Sequence, residues 1–79
     1  MTGQEVIVKC REIVKEHQAD KVDGVFVDAT SAHAIVQVYD ALSSKARDKL
    51  CEMMENEGVA KTTHFVWKLI AKTRQKAAS

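Results

Sequence analysis

The stretch KVDGVFVDATSAHAIVQVYDAL, which runs from Lys21 to Leu42, is the most informative part of the sequence about the fold. It begins with Asp23-Gly24, a dipeptide that is typical of tight turns. The three residues that follow, VFV at Val25 to Val27, have the β-branched and aromatic composition of a strand but form a very short run. We therefore predict an extended connector, with at most a token β-strand, whose alternation sends Val25 and Val27 to one side and Phe26 to the other.

The second half of this stretch has the features of a buried helix. Asp28, Thr30 and Ser31 are all suitable N-caps, because a short side-chain oxygen can accept the free backbone N–H groups of a first helical turn. The apolar positions that follow are Ala32, Ile35, Val36, Tyr39 and Leu42 on one stripe, with Ala34, Val38 and Ala41 outside it. A helix that is apolar most of the way round is usually buried, so we predict that it is the central helix. On this interpretation DGVFVDATS is a structural junction rather than a ligand-binding loop.

Helical periodicity outside this stretch predicts three further helices. We expect helix 1 from about Gln4 to Gln18 after a cap at Thr2 or Gly3, helix 3 from about Lys45 to Asn56 after Ser43 and Ser44, and helix 4 from about Val59 or Lys61 to Arg74. The expected inward positions are Val6, Ile7, Cys10, Ile13, Val14 and His17 in helix 1, Ala46, Leu50, Cys51, Met53 and Met54 in helix 3, and Phe65, Val66, Leu69 and Ile70 in helix 4.

The predicted fold class is therefore all-α, a compact bundle of four short helices with a short extended connector between helices 1 and 2. The 79 residues fit a single small helical domain over positions 1–79, with a basic tail frayed from about residue 73. A chain of this length buries only roughly 60% of its unfolded surface, so the core is thin and a partner chain would help to stabilise it.

Composition narrows the range of environments. No apolar run approaches the ~20 residues that a membrane-spanning helix needs. The first ten residues lack the basic start and apolar run of a secretory signal. Two cysteines, Cys10 and Cys51, are too few for a disulfide framework, so we interpret them as reduced thiols of a cytoplasmic protein.

Charge is unevenly distributed along the chain, although the net charge is only +1. Residues 1–57 hold eleven acidic and seven basic side chains, a net of −4, whereas residues 58–79 hold five basic side chains and no acidic one, a net of +5. The candidate basic face comprises Lys61, Lys68, Lys72, Arg74 and Lys76. Such a face could lie along nucleic acid phosphates, meet an acidic protein surface, or simply complement the dipole of the last helix.

Catalytic and metal-binding patterns are lacking in the sequence. No nucleophile elbow, phosphate-binding glycine loop or HExxH motif is present, and the three glycines are isolated from one another. The spacing of the sequence brings no nucleophile next to His17, His33 or His64. The sequence also lacks the CxxC pair that is typical of a zinc site. We therefore predict a protein that is not an enzyme and that has no cofactor and no metal.

Protein association is the function that the residues favour. The candidate interface residues are Phe26, Trp67, Met53 and Met54, because aromatic and methionine side chains often anchor protein contacts. We expect self-association, as a homodimer, or docking on another protein. The alternative is a small nucleic-acid-binding or transcription-modulating protein that uses the basic face. Against that alternative, the body is acidic, and the helix that would serve as a recognition helix, SSKARDKLCEMMENE, ends in acidic residues.

The segment VDGVFVDATSAHAIVQVYDAL resembles one found in small uncharacterised proteins of phages that infect actinobacteria. The resemblance rests on Val22, Asp23, Gly24, Val27, Asp28, Thr30, Ala32, Ile35, Val36, Val38, Tyr39, Asp40, Ala41 and Leu42. It extends to an amphipathic helix of the kind FVWKLI and covers about half of the chain. The resemblance implies a short phage gene product in a bacterial cytoplasm, which binds a host or phage protein. It brings no established activity. Within this segment we expect Asp40 to pair with a base such as Lys45 or one on helix 4.

Overall fold

The computed structural model describes the backbone of residues 1–78 and the side chains of residues 1–72. Its elements, in chain order, are α1 (Gly3–Glu16), β1 (Asp20–Val22), β2 (Val25–Val27), α2 (Ala29–Ala41), α3 (Ser44–Glu57) and α4 (Val59–Ala78). The prediction of a mainly helical chain with four helices is confirmed. The extended link between the first two helices is more than a connector, because it contains a small antiparallel sheet.

This sheet is a β-hairpin closed by a two-residue loop. Val22 pairs with Val25, and between them Asp23 and Gly24 have φ angles of 51° and 81°. Two consecutive positive φ angles are the mark of a type I′ turn, whose twist matches that of the flanking strands and which favours Asp-Gly. The turn was therefore visible in the sequence. The strand β1 was not, because Asp-Lys-Val has little strand character until β2 pairs with it.

The hairpin alternates between buried and exposed side chains, as predicted. Val27 is 2% exposed and Val22 is fully buried, whereas Phe26 is 69% exposed. Val25 is half-buried against the core. The hairpin thus turns one face toward the helices and the other toward solvent.

The core lies between the four helices and the inner face of the hairpin. The most extensive contact between helices joins α1 to α2, and α4 packs against both α2 and α3. The buried apolar residues are Val6, Ile7, Cys10, Ile13, Val22, Val27, Ala32, Ala34, Ile35, Val38, Leu50, Met54, Val59 and Val66. These positions agree with most of the predicted stripes. The predicted central place of α2 is not confirmed, because α2 packs mainly against α1 and α4, whereas α1 packs against α2, α3 and β1.

Three helices begin at side-chain caps. Thr2 accepts from the backbone N–H of Glu5, whose carboxylate accepts in return from the backbone N–H of Thr2, which makes a reciprocal capping box. Asp28, one of three candidates in the sequence, caps α2 by accepting from the N–H of Ser31 at 2.7 Å. Ser43 caps α3. These bonds satisfy backbone donors that the first helical turn leaves without a partner.

The junction between α3 and α4 consists of one residue. Gly58 has φ 93° and ψ 164°, a region of backbone space that is essentially restricted to glycine. Its N–H still donates to the carbonyl of Met54, and its own carbonyl accepts from the hydroxyl of Thr62, a fully buried polar side chain. The α4 backbone continues to Ala78 rather than ending near Arg74. The side chains of the tail predicted to fray from about residue 73 lie outside the described residues.

Two residues expected on inward stripes lie elsewhere. His17 is exposed and forms the C-cap of α1 in a left-handed conformation, with φ 54°. Phe65 is 39% exposed, because the buried side of α4 is defined by Val59, Thr62 and Val66. The residue next to Val66 is turned away from that side by about 100°. The prediction that Phe65 faces inward is therefore wrong.

Candidate functional site

One candidate surface is the outward side of the hairpin. Phe26 lies at the middle of β2 and its cross-strand partner is Lys21, also exposed. We call these two residues the hairpin face. Phe26 leaves more than two thirds of its surface in water and therefore contributes little to the core. Aromatic side chains usually dominate the energetics of cores and interfaces. The structure therefore places the strongest apolar contact available to a partner on this face.

The other three residues of the predicted interface are all less exposed than Phe26. Met54 is 1% exposed and belongs to the core, which corrects its assignment to an interface. Met53, on α3, is half-buried. Trp67 is also half-buried, and its indole N–H donates to the hydroxyl of Ser31 at 3.4 Å, which ties α4 to the first turn of α2. Trp67 thus covers the edge of the core while part of its ring remains accessible.

A second candidate surface runs along α4. Lys61, Lys68 and Lys72 are exposed, and the exposed part of Phe65 lies among them. At 3.6 residues per turn, Lys61, Phe65, Lys68 and Lys72 fall within an arc of about 60° on the helix. We call these four residues the α4 stripe. Arg74 and Lys76, the remaining members of the predicted basic face, lie outside the residues whose side chains are described.

The lysines of the α4 stripe take no part in the ion pairs of the described side chains. Those pairs join the N-terminal amine of Met1 to Asp23, Lys9 to Asp20, and Arg11 to Asp40. The acidic end of α3 carries Glu52, Glu55 and Glu57, all exposed, so the positive surface does not continue across that helix. The lysines of the α4 stripe therefore face solvent with no ion-pair partner among the side chains of residues 1–72.

A third cluster joins α1, α2 and α3 through arginines. Among the side chains of residues 1–72, Asp40 pairs with Arg11 of α1, whereas the sequence led us to expect Lys45 or a base on α4. Arg47 of α3 donates to the carbonyls of Tyr39 and Asp40 at 2.8 and 3.0 Å, and its guanidinium lies 4.9 Å from the centre of the Tyr39 ring. Arg47 thereby adds side-chain donors to carbonyls at the end of α2, where the carbonyl of Tyr39 also accepts from the backbone N–H of Leu42. These contacts stabilise the fold.

Neither cysteine is poised for reaction. Burial raises the pKa of the Cys10 thiol to about 11. Partial burial, with the nearby carboxylates of Glu55 and Asp48, also raises the pKa of Cys51. A cysteine acts as a nucleophile or metal ligand in its thiolate form, which both environments disfavour at neutral pH. This chemistry assigns both thiols to packing.

The histidines do not assemble a metal site in the described part of the chain. His17 and His33 line one shallow cleft, together with Val14, Ala29 and Thr30. Across residues 1–72 no three side chains of histidine, cysteine, aspartate or glutamate are grouped so that they could hold an ion. Two imidazoles alone fall short of the three or four protein ligands of a zinc site.

Sequence reasoning missed one close approach that shapes the molecule. Gly3 is buried where α1 begins, and a methyl group in place of its hydrogen would overlap the Cβ and Cα atoms of Cys51 on α3. Its N–H donates to the carboxylate of Glu55 at 2.8 Å. The only signal available in the sequence was a glycine in a favourable helix-start position, which is also explained by capping.

No protein-family model, curated protein or solved structure matches this chain. Within residues 1–78, none of the helices combines the length and the apolar character required to cross a lipid bilayer. The hairpin face and the α4 stripe are therefore the candidate surfaces through which the chain acts.

Proposed function

We propose that this chain is a non-enzymatic protein that acts through protein–protein contacts and self-associates through its hairpin face. The observation that carries the proposal is the 69% exposure of Phe26 at the centre of a strand. Burying an aromatic side chain removes about 150–250 Å² from water, so a partner that covers Phe26 gains substantial hydrophobic free energy.

The hairpin also offers backbone hydrogen-bonding groups. In the described part of the chain β1 and β2 pair only with each other, so the outer edge of β2 has no strand partner. Such an edge is a template for another strand. If a second copy pairs antiparallel about a two-fold axis at Phe26, each Phe26 lies opposite its counterpart, an arrangement in which aromatic cross-strand pairs are stabilising. This symmetry is the reason we propose a homodimer.

The proposed context follows from the resemblance of residues 22–42 to small phage proteins. A short phage product in a bacterial cytoplasm could use the same hairpin face to dock on a host or phage protein. The resemblance centres on the hairpin turn, the cap of α2 and the buried side of α2, which are the elements that hold Phe26 in place.

Self-association is tested by sedimentation equilibrium of the wild type and of Phe26→Ala over a wide concentration range. We expect a concentration-dependent dimer for the wild type and a large shift toward monomer for Phe26→Ala. Phe65→Ala, which removes the other exposed phenylalanine, is the matched control and should leave the dimer unchanged. A wild type that is monomeric at every concentration, or a Phe26→Ala variant that dimerises as well as the wild type, contradicts the proposal.

A second candidate function is binding of nucleic acid along α4. The observation that favours it is the alignment of Lys61, Lys68 and Lys72 on one exposed side of a helix. Residues 58–79 contain no acidic side chain. Lysines in this arrangement neutralise phosphates and release counterions, which makes binding strongly dependent on salt.

A further inference from the structure

We propose that the α4 stripe binds single-stranded nucleic acid, with Phe65 stacking on a base while Lys61, Lys68 and Lys72 contact phosphates. This inference rests on the second candidate function and names its ligand. It starts from the observation that Phe65, although apolar, is 39% exposed and lies among the lysines rather than in the core.

The spacing of the four residues suits an extended strand. Lys61 and Lys72 lie about 16 Å apart along the helix axis, with Phe65 and Lys68 between them. Lysine side chains are long and flexible, so ammonium groups on both sides of the ring can reach a backbone whose base rests on it. Phe65 remains more than half covered by the protein, and this packing restricts its ring before any ligand arrives.

Base stacking requires an accessible base, which favours a single strand over a duplex. In a duplex both faces of each base are covered by neighbouring base pairs, so the Phe65 ring could meet only a groove or a phosphate. A single strand can turn a base outward onto an aromatic side chain, an interaction that tolerates any sequence.

The ring distinguishes nucleic acid from an acidic protein as the ligand. Lysine ammonium groups are point charges that attract carboxylates and phosphates alike. An acidic peptide would use the three lysines and gain little from an aromatic ring among them. A nucleic acid strand carries both negative charges and flat aromatic groups, and the α4 stripe offers a complement to each, three lysines and one aromatic ring.

The test is fluorescence anisotropy of a labelled 12-nucleotide oligothymidine titrated with the full chain at several salt concentrations. For a single strand, three phosphate contacts predict a slope of log K against log[salt] of about −2. Lys68→Gln removes one contact and should reduce the magnitude of that slope by about 0.7. Lys15→Gln, an exposed lysine on α1, is the matched control and should leave the slope unchanged.

The stacking contact is tested by Phe65→Ala, which should weaken binding by roughly 5- to 140-fold with the salt slope retained. Val8→Ala, which shortens an exposed apolar side chain on α1, should bind like the wild type. Circular dichroism and the emission of Trp67, the single tryptophan, show whether each variant is folded.

The remaining outcomes separate this inference from the function on which it rests. Equal affinity for duplex and single strand, with no effect of Phe65→Ala, would leave nucleic acid binding intact and overturn the stacking inference. Failure to bind either form would overturn both. Competition by poly-glutamate as effective as that by unlabelled oligothymidine, again independent of Phe65, would assign the α4 stripe to an acidic protein partner and overturn the inference.

Discussion

Arg11 on α1 and Asp40 on α2 form a two-pronged ion pair. One guanidinium nitrogen, Nη2, donates to Oδ1 of Asp40 at 2.6 Å, and the other, Nη1, donates to Oδ2 at 3.2 Å. The pair joins the two helices that share the largest interface in the molecule. The hydrogen bonds from Arg11 lower the pKa of Asp40, although both side chains remain about half exposed.

We predict that Asp40→Asn weakens the dependence of stability on acidic pH. Because the pKa of Asp40 is lower in the folded state, its contribution is complete above the unfolded value of about 4 and is lost as pH falls through the folded value. Urea unfolding at several pH values between about 6 and 2 measures the effect. The wild type should lose more stability than Asp40→Asn on acidification, by a small amount because solvent screens the pair.

The control for this measurement is Asp48→Asn, which removes an exposed carboxylate on α3. This control should follow the wild-type pH profile closely. Identical profiles for Asp40→Asn and the wild type would show that the ion pair does not form in solution. An Arg11→Gln variant should reproduce the profile of Asp40→Asn, because either change leaves the pair unmade.

Gly58→Ala should destabilise the protein by about 1–3 kcal/mol through backbone strain alone. No atom lies within 4 Å of the position that a Cβ would occupy at Gly58, so steric overlap does not contribute. Chemical synthesis allows a sharper comparison, since D-alanine accepts the positive φ of 93° that L-alanine resists. The D-alanine protein should unfold at nearly the wild-type denaturant concentration. Equal destabilisation by both enantiomers would exclude backbone strain as the cause.

Gly3→Ala should also destabilise the protein, for a different reason. The added methyl group meets the backbone and Cβ of Cys51, which cannot move without separating α1 from α3. Overpacking of this kind typically costs about 1–3 kcal/mol. Chemical denaturation measures the loss, and Gln4→Ala, at an exposed neighbouring position, should have little effect. A Gly3→Ala variant as stable as the wild type would mean that the two helices are further apart.

The two thiols should differ in reactivity. Cys10 is fully buried with a pKa of about 11, whereas Cys51 is half-buried. Alkylation with iodoacetamide at neutral pH, followed by mass spectrometry, should label Cys51 slowly and Cys10 only after unfolding. Cys51→Ser should therefore remain unlabelled under native conditions and gain one label in denaturant. Native labelling of Cys10 at the rate of Cys51 would contradict the placement of Cys10 in the core.

Ile35→Asp should unfold the domain. Ile35 is fully buried at the centre of α2, and an aspartate there would leave a charge without a partner or solvent. Val8→Asp makes the same change on α1 at a position that is 56% exposed, and should preserve the helical circular dichroism signal. Retention of that signal and of cooperative unfolding in Ile35→Asp would show that the core lies elsewhere.

The parts of the fold that local chemistry determines were predictable from the sequence. Asp-Gly indicated the turn, Ser43 and Thr2 indicated helix starts, and the apolar stripe of α1 indicated its buried side. Helical periodicity gives only the directions of residues relative to one another within a helix. Phe65 was predicted to face inward because apolar residues alone were used to locate the buried side of α4, which in fact includes Thr62. A buried threonine whose hydroxyl bonds to a carbonyl one turn earlier carries no mark in a hydropathy pattern.

Long-range relationships lay beyond the sequence. The pairing of Asp40 with Arg11 spans 29 residues, and the approach of Gly3 to α3 spans more, so neither leaves a periodic signal. The candidate surfaces were predictable only where they depend on spacing within one helix. Lys61, Lys68 and Lys72 could be placed on one side by counting, whereas the exposure of Phe26 and the burial of Met54 depend on which elements pack over them.

The contrast between the two glycine joints has a practical consequence for anyone who modifies this chain. Gly24 sits in open space at the tip of the hairpin, so an epitope or a fluorophore-bearing loop inserted there would project into solvent without disturbing the helices. The joint at Gly58 would not tolerate an insertion, because a single residue separates α3 from α4. One residue added within the first turn of α4 would rotate the rest of that helix by about 100°, and would turn its core-facing side away from the core.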